Sequence, residues 1–127
     1  METAPLYAGD DVSHYDYPIV VSEADIDYNK HANNVVYVRW VQEAATAHWE
    51  TVIPPELKEG LSWVVMRHEI DYKKPAHLGD VLRVRTWVKS MTAIQSERHC
   101  LIFRDSDNQL LVKVRTLWCA INPVTAR

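Results

Sequence analysis

Only one stretch of this chain carries the period of a long helix, and almost everything after it carries the pattern of strands. From Asn34 to Glu50, Val36, Trp40, Ala44 and His48 recur at a four-residue step, with Val38, Val41, Ala45 and Trp49 beside them. Asn33 or Asn34 suits the N-cap, because a short amide side chain can accept a bond from an orphaned N–H of the first turn. Pro54-Pro55 forbids continuation. The β-branched Val35 and Val36 are modest helix formers, so burial rather than propensity must hold this helix. One strand precedes it and four follow. A lone helix has no second helix to pack on, so an antiparallel sheet has to curl around it.

The strands read as follows. Tyr17 to Ser22 is a short β-rich run, behind a polar segment of residues 1–16 expected to be a loose extension. Residues 17–127 are then left as a single domain. Ser62 to Tyr72 comes next, followed by a turn through Lys73-Lys74-Pro75-Ala76-His77-Leu78-Gly79-Asp80. Val81 to Lys89 alternates with a period of two, placing Val81, Arg83, Arg85 and Trp87 on an outward, basic face. Ala93 to Arg104 and Gln109 to Ile121 flank Asp105-Ser106-Asp107-Asn108, which predicts a hairpin. The expected architecture is α+β, one long central helix wrapped by a five-stranded antiparallel sheet.

Composition excludes several functions. The net charge is −3 over 127 residues with Lys and Arg scattered, so the electrostatic footprint of a nucleic-acid binder is missing. No apolar run approaches the roughly 18 residues that a membrane span needs, and the start of the chain has no apolar core, so a cytoplasmic location is expected. Cys100 and Cys119 lack zinc-type spacing and read as reduced core thiols. His14, His48, His68, His77 and His99 do not fall at metal-ligand spacing either. With three glycines there is no phosphate loop, so neither metal nor cofactor is expected. The phosphates of any ligand would have to meet surface cations, for which Arg67, Lys73, Lys74, Arg83 and Arg85 are the candidates.

The run Asp25-Ile26-Asp27-Tyr28-Asn29-Lys30-His31-Ala32-Asn33-Asn34 is dense in carboxylate, amide and imidazole, and it leads straight into the helix. Together with Tyr37, Trp40 and Glu43, it resembles the signature of the hotdog-fold acyl thioesterases. The nearest branch is that of the 4-hydroxybenzoyl-CoA and medium/long-chain acyl-CoA thioesterases, and the same segment is similar to plant acyl-ACP thioesterases. The segments from Ile70 to Asp80 and from Trp118 to Asn122 resemble that family's second-to-third-strand hairpin and its last strand. The resemblance implies a hotdog fold and hydrolysis of an acyl-CoA or acyl-ACP thioester. It also implies a homodimer or homotetramer with active sites at the interface.

Residue roles follow from the same resemblance. Asp27 occupies the position of the catalytic carboxylate, which either attacks the thioester carbonyl or activates a water; its structural alternative is to bond loop amides. A backbone N–H at or next to Asn34, with Asn33 beside it, would stabilise the oxyanion at the positive end of the helix. His31 could bond the carbonyl, orient Asp27 or protonate the thiolate. Asn29 matches an asparagine of the plant enzymes, whose further Cys or acidic partner falls at Lys74-Pro75 here. A papain-like triad is therefore not expected. Glu43 sits where a different hotdog branch carries its base. Tyr37 and Trp63 are candidate pocket walls. The rival activity is hydration of an enoyl thioester, whose loop spaces Asp and His one residue further apart around a Pro. A non-catalytic acyl-thioester-binding domain is the third reading.

Overall fold

The computed structural model describes residues 14–52, 62–92 and 94–121. The chain runs through β1 (His14–Val20), a single 3-10 turn at Glu23–Asp25, α1 (Asn34–Val52), β2 (Ser62–Tyr72), β3 (Val81–Met91), β4 (Gln95–Arg104) and β5 (Gln109–Ile121). All strand pairs are antiparallel, in the order β1-β3-β4-β5-β2. This is the α+β plan that the lone helical period demanded. Pro54-Pro55 lies outside the described residues, as does most of the expected extension. Residues 14–16 are already strand, so β1 begins three residues before Tyr17.

The helix buries the stripe that its periodicity marked. Val36, Trp40, Val41, Ala44 and Ala45 are buried, as is Tyr37. They face Ile19 of β1, Leu82 and Val84 of β3, Cys100 and Ile102 of β4, and Val112 and Val114 of β5. Each large side chain withdrawn from water contributes on the order of 2 kcal/mol, which is what offsets the poor helix propensity of Val35 and Val36. Leu111 is an extra residue opposite the Ile102/Phe103 step of β4, yet it is buried, and its carbonyl accepts the Lys73 and Lys74 amides. The bulge therefore anchors the turn after β2.

The outer face of the sheet departs from simple alternation. Trp87, expected outward with Arg83 and Arg85, is buried at 2% exposure and stacks on the His99 ring across the β3–β4 pair. Arg83 and Arg85 stay outward but are paired, with Asp105 and Asp16 respectively. Further along, Glu97 accepts bonds from His99 Nε2 and Arg115 Nε, both at 2.8 Å. The basic face is thus an ion-pair lattice rather than a free cationic surface. Arg67 joins it through Glu69. Lys73 and Lys74, on the exposed turn, have no ion-pair partner among the described residues. Cys100 and Cys119 are both free thiols as expected, and burial pushes the Cys100 thiol up to about 11.

Candidate functional site

The loop ahead of α1 is built by hydrogen bonds that its polar residues make locally. Ile26 and Ala32 form an isolated antiparallel bridge, Asp27 N–H donates to the His31 carbonyl at 2.9 Å, and Lys30 N–H donates to the Asp27 carbonyl at 3.0 Å. Closing so short a loop puts Lys30 at φ 69°, a left-handed conformation that a non-glycine residue rarely adopts. Inside the turn, Asp27 Oδ1 accepts the Asn29 amide at 2.9 Å and the His31 amide at 3.4 Å. The carboxylate is thereby fixed in direction, partly buried, with its second oxygen uncommitted among the described residues. The structural role weighed for Asp27 is real. It leaves half of the group free for chemistry.

Asn33 is the N-cap. Its Oδ1 accepts the Val35 amide at 3.2 Å, and its carbonyl accepts the Val36 amide at 2.9 Å. Asn34 therefore takes the first helical position, where an N–H has no partner inside the helix. Among the described residues nothing else accepts that N–H. The Asn34 carbonyl accepts the Tyr72 hydroxyl at 3.3 Å, which brings the end of β2 and its lysine turn to the helix start. Ala32 N–H donates to the Ala76 carbonyl, and the His31 and His77 rings meet edge to face at 5.1 Å. The two loops form one layer around the end of α1.

Tyr37 packs in the core cluster. It is buried, and its hydroxyl accepts the Ala76 amide at 3.0 Å while its ring contacts Trp40 and Tyr72. Asn29 and His31 are exposed at the loop surface. Glu43 is half-exposed on α1 and pairs with Arg39 at 3.5 Å. Arg39 also reaches Asp25 at 2.7 Å. Burial alone would raise Asp25, but the Ser22 amide, the Arg39 guanidinium and the Ser22 hydroxyl together hold it below the usual carboxylate range. Asp25 and Arg39 were passed over in the sequence. The available signal was an aspartate two residues before Asp27 with an arginine one helical turn into α1.

Two concavities follow α1 away from this end. An open groove of about 420 Å³ is lined by Tyr17, Arg39, Gln42, Glu43, Thr46 and Ala47. Beyond it, a chamber of about 270 Å³ lies between the second half of α1 and the sheet, and Trp63 is one of its walls. Thr46 lines both. Among the described residues no group of His, Cys, Asp and Glu could hold a metal ion.

The surroundings of His48 are set by that chamber's polar floor. His48 is buried, stacks on Tyr15 at 5.4 Å, and lies 3.0 Å from Arg98 Nη1 through Nδ1. Burial, reinforced by the Arg98 cation, pushes His48 down to about 4. It is neutral at pH 7 with Nδ1 accepting. His68, the other inward histidine, reaches Thr116 Oγ1 at 2.9 Å and is lowered by burial.

Comparison with known proteins bears on the fold and the family. The palmitoyl-acyl carrier protein thioesterase of Arabidopsis thaliana is 26% identical over 112 residues, covering 81% of this chain and 27% of that protein. The chain spans about a fifth to a quarter of the length of the curated plant relatives that it matches. A 1,4-dihydroxy-2-naphthoyl-CoA thioesterase from Synechocystis superposes with a TM-score of 0.80 at 20% identity, covering 91% of this chain and 87% of that one. The 12:0-ACP thioesterase from Umbellularia californica gives a TM-score of 0.80 at 18% identity, covering 90% of this chain and 45% of that one. Those likenesses establish the hotdog fold. The family description "Acyl-ACP thioesterase N-terminal domain" matches residues 11–127, nearly the whole chain, and the chain belongs to that family.

Proposed function

We propose that this chain hydrolyses an acyl thioester, with Asp27 as the reacting carboxylate and the Asn34 N–H as oxyanion donor. The observation that carries the reading is the pairing of a carboxylate held by two loop amides with an unpartnered amide at the start of the adjoining helix. In this scheme Asp27 takes a proton from a water that attacks the carbonyl carbon, or attacks that carbon itself. The oxygen that gains charge faces a helix N-terminus, where one donor is worth on the order of 3 kcal/mol. Collapse breaks the carbon–sulfur bond and releases thiolate, a good leaving group that draws a proton from water or from His31; on the second route the acyl group stays on Asp27 as an anhydride, which a water then cleaves to free acid and the regenerated carboxylate. Asn29 fixes Asp27 through its backbone, and Glu43 lines the groove in which the acyl group would begin its path.

The carrier is CoA or acyl carrier protein, since the plant relatives are described as acting on the latter and the Synechocystis neighbour on the former. Lys73 and Lys74, brought to the helix start through Tyr72, supply unpaired cations for its phosphates. A homodimer is the favoured assembly, with a homotetramer as its extension. The supporting feature is β2, an eleven-residue edge strand that exposes Val64 and Met66, since such an edge invites pairing with a second copy. No described helix is long and apolar enough to cross a membrane, and the proposed setting is the cytoplasm.

Thiol release from a panel of acyl-CoAs and acyl-ACPs tests the reading. Turnover that falls about 10²- to 10⁴-fold in Asp27→Asn, with fold and oligomeric state retained, is the expected result. Hydration of an enoyl-CoA without thiol release would move the assignment to the hydratases, and tight binding without either reaction would leave an acyl-binding domain.

A further inference from the structure

The chamber beyond Thr46 contains a cation with no counter-charge among the described residues. Arg98, on β4, is 5% exposed, and its partners among the described residues are His48 Nδ1 at 3.0 Å and Thr86 Oγ1 at 3.1 Å, both reached from Nη1. No carboxylate lies within ion-pair distance of it among the described residues, and its Nε and Nη2 have no hydrogen-bond partner there. Burial lowers the Arg98 guanidinium, with no carboxylate acting against that. Neutral His48 accepts one of its bonds and offers no charge in return. Trp118 lines the same chamber, and its buried indole N–H is also without an acceptor. Ser96 adds a hydroxyl. The remaining lining is Ala45, Thr46, Trp49, Ser62, Trp63 and Met91.

A buried, unpaired charge costs several kcal/mol, and truncating it to an apolar side chain of similar length is commonly neutral or stabilising. A guanidinium kept at the floor of an apolar, indole-walled cavity is therefore a feature that stability does not explain. What it matches is an anionic oxygen arriving at the end of an apolar stem, since a guanidinium fork pairs with a carboxylate in two parallel bonds.

We propose that the chamber receives the far end of the acyl group and that this end carries a carboxylate, so that the thioesters preferred are those of long α,ω-dicarboxylic acids. The inference rests on the thioesterase reading above. The proposed route is the groove past Arg39, Gln42 and Glu43, which shares the Thr46 side chain with the chamber. From Asn34 to Thr46 the helix rises about 18 Å, so an extended acyl chain needs at least about 14 carbons to bring its far end into the chamber. The chamber holds only the last part of such a chain, where the indole rings of Trp49, Trp63 and Trp118 cover the methylenes and Arg98 meets the carboxylate.

The experiment compares tetradecanedioyl-CoA, as the mono-thioester, with tetradecanoyl-CoA in the wild type and in Arg98→Met. The wild type is expected to favour the diacid thioester by about tenfold or more in kcat/KM. Arg98→Met should abolish that preference while leaving tetradecanoyl-CoA within about threefold of wild type. Trp118→Phe should give an intermediate loss, and it serves as the second variant should Arg98→Met fold poorly. A wild-type preference for tetradecanoyl-CoA, or a ratio unchanged by Arg98→Met and Trp118→Phe, overturns the proposal. A binding arm separates it from the hydrolase reading. Decanoate, but not decanol, should quench tryptophan fluorescence in the wild type and lose that effect in Arg98→Met. Quenching without hydrolysis of any thioester keeps the anion site and removes the enzyme, whereas hydrolysis with no dependence on Arg98 does the reverse.

Discussion

Arg39 on the second turn of α1 holds the buried Asp25 carboxylate at 2.7 Å, and so ties the helix to the loop that carries Asp27. Asp25 takes two more bonds from Ser22, and its own carbonyl accepts the Asn33 amide. The loop's position relative to the Asn34 N–H therefore depends on a pair outside the turn that holds Asp27. Arg39→Ala strands the carboxylate with only the Ser22 donors, at a cost of about 1 to 2 kcal/mol, the modest figure reflecting that Arg39 itself is half-exposed. Urea denaturation reads that cost. Turnover should fall in the same variant chiefly through kcat, because the loop is displaced, with a smaller rise in KM from the groove wall that Arg39 also forms; a variant as active as wild type would show that the pair is merely structural.

His48 gives the fold an acid limit. Its value is pushed from 6.5 down to about 4 by burial and the Arg98 cation, so below pH 6.5 the unfolded chain binds a proton that the folded chain refuses. Stability from this group is complete above 6.5 and is lost as pH falls towards 4. The full difference is on the order of 3 kcal/mol. Asp25, held low in the folded state, adds a loss with the same sign at still lower pH, below its ordinary carboxylate value. Thermal melts between pH 7 and 4 should show a steep decline for wild type and a shallower one for His48→Gln. Parallel curves would exclude the His48 contribution.

Tyr37 is the core residue whose hydroxyl closes the layer around the helix start. Ala76 N–H donates to it at 3.0 Å, and Ala76 is fully buried. Burial is also what raises the Tyr37 phenol above its usual value. Tyr37→Phe keeps the ring packing against Trp40 and Tyr72 but leaves the Ala76 amide unpaired, costing about 1 to 3 kcal/mol. Amide exchange should speed up at Ala32 and Ala76 before it does in β3 or β4. Uniform acceleration across the sheet would mean that the bond supports the whole fold instead.

The architecture was legible because each element repeats its own signal. The four-residue step of Trp40, Ala44 and His48 can only be helical, and β2 and β5 have the bounds that their patterns indicated. The misplacement of Trp87 has a physical reason: period two tells which face a side chain takes, not whether that face is covered, and the His99 ring covers it. The site was legible only where the chemistry is local, in the turn around Asp27 and the cap at Asn33. Arg98 was missed because its partners His48 and Thr86 are 50 and 12 residues away in sequence, and a lone arginine in an alternating strand looks like any outward charge.

Asn33 separates two functions that one residue performs at the helix start. As the N-cap it accepts the Val35 amide, and as the neighbour of Asn34 it sets where the unpartnered N–H points. Asn33→Ala removes the cap and should cost about 1 kcal/mol. Asn33→Asp keeps an acceptor and places a negative charge at the positive end of α1, so stability should be equal or higher by a few tenths of a kcal/mol. That same charge opposes an oxyanion forming beside it, and turnover of an acyl thioester should fall by about tenfold or more although the protein is no less stable. Denaturation and thiol-release measurements on the two variants therefore move in opposite directions if Asn34 serves the transition state. If Asn33→Asp turns over as fast as wild type, the helix start is a cap alone and the developing charge is stabilised elsewhere.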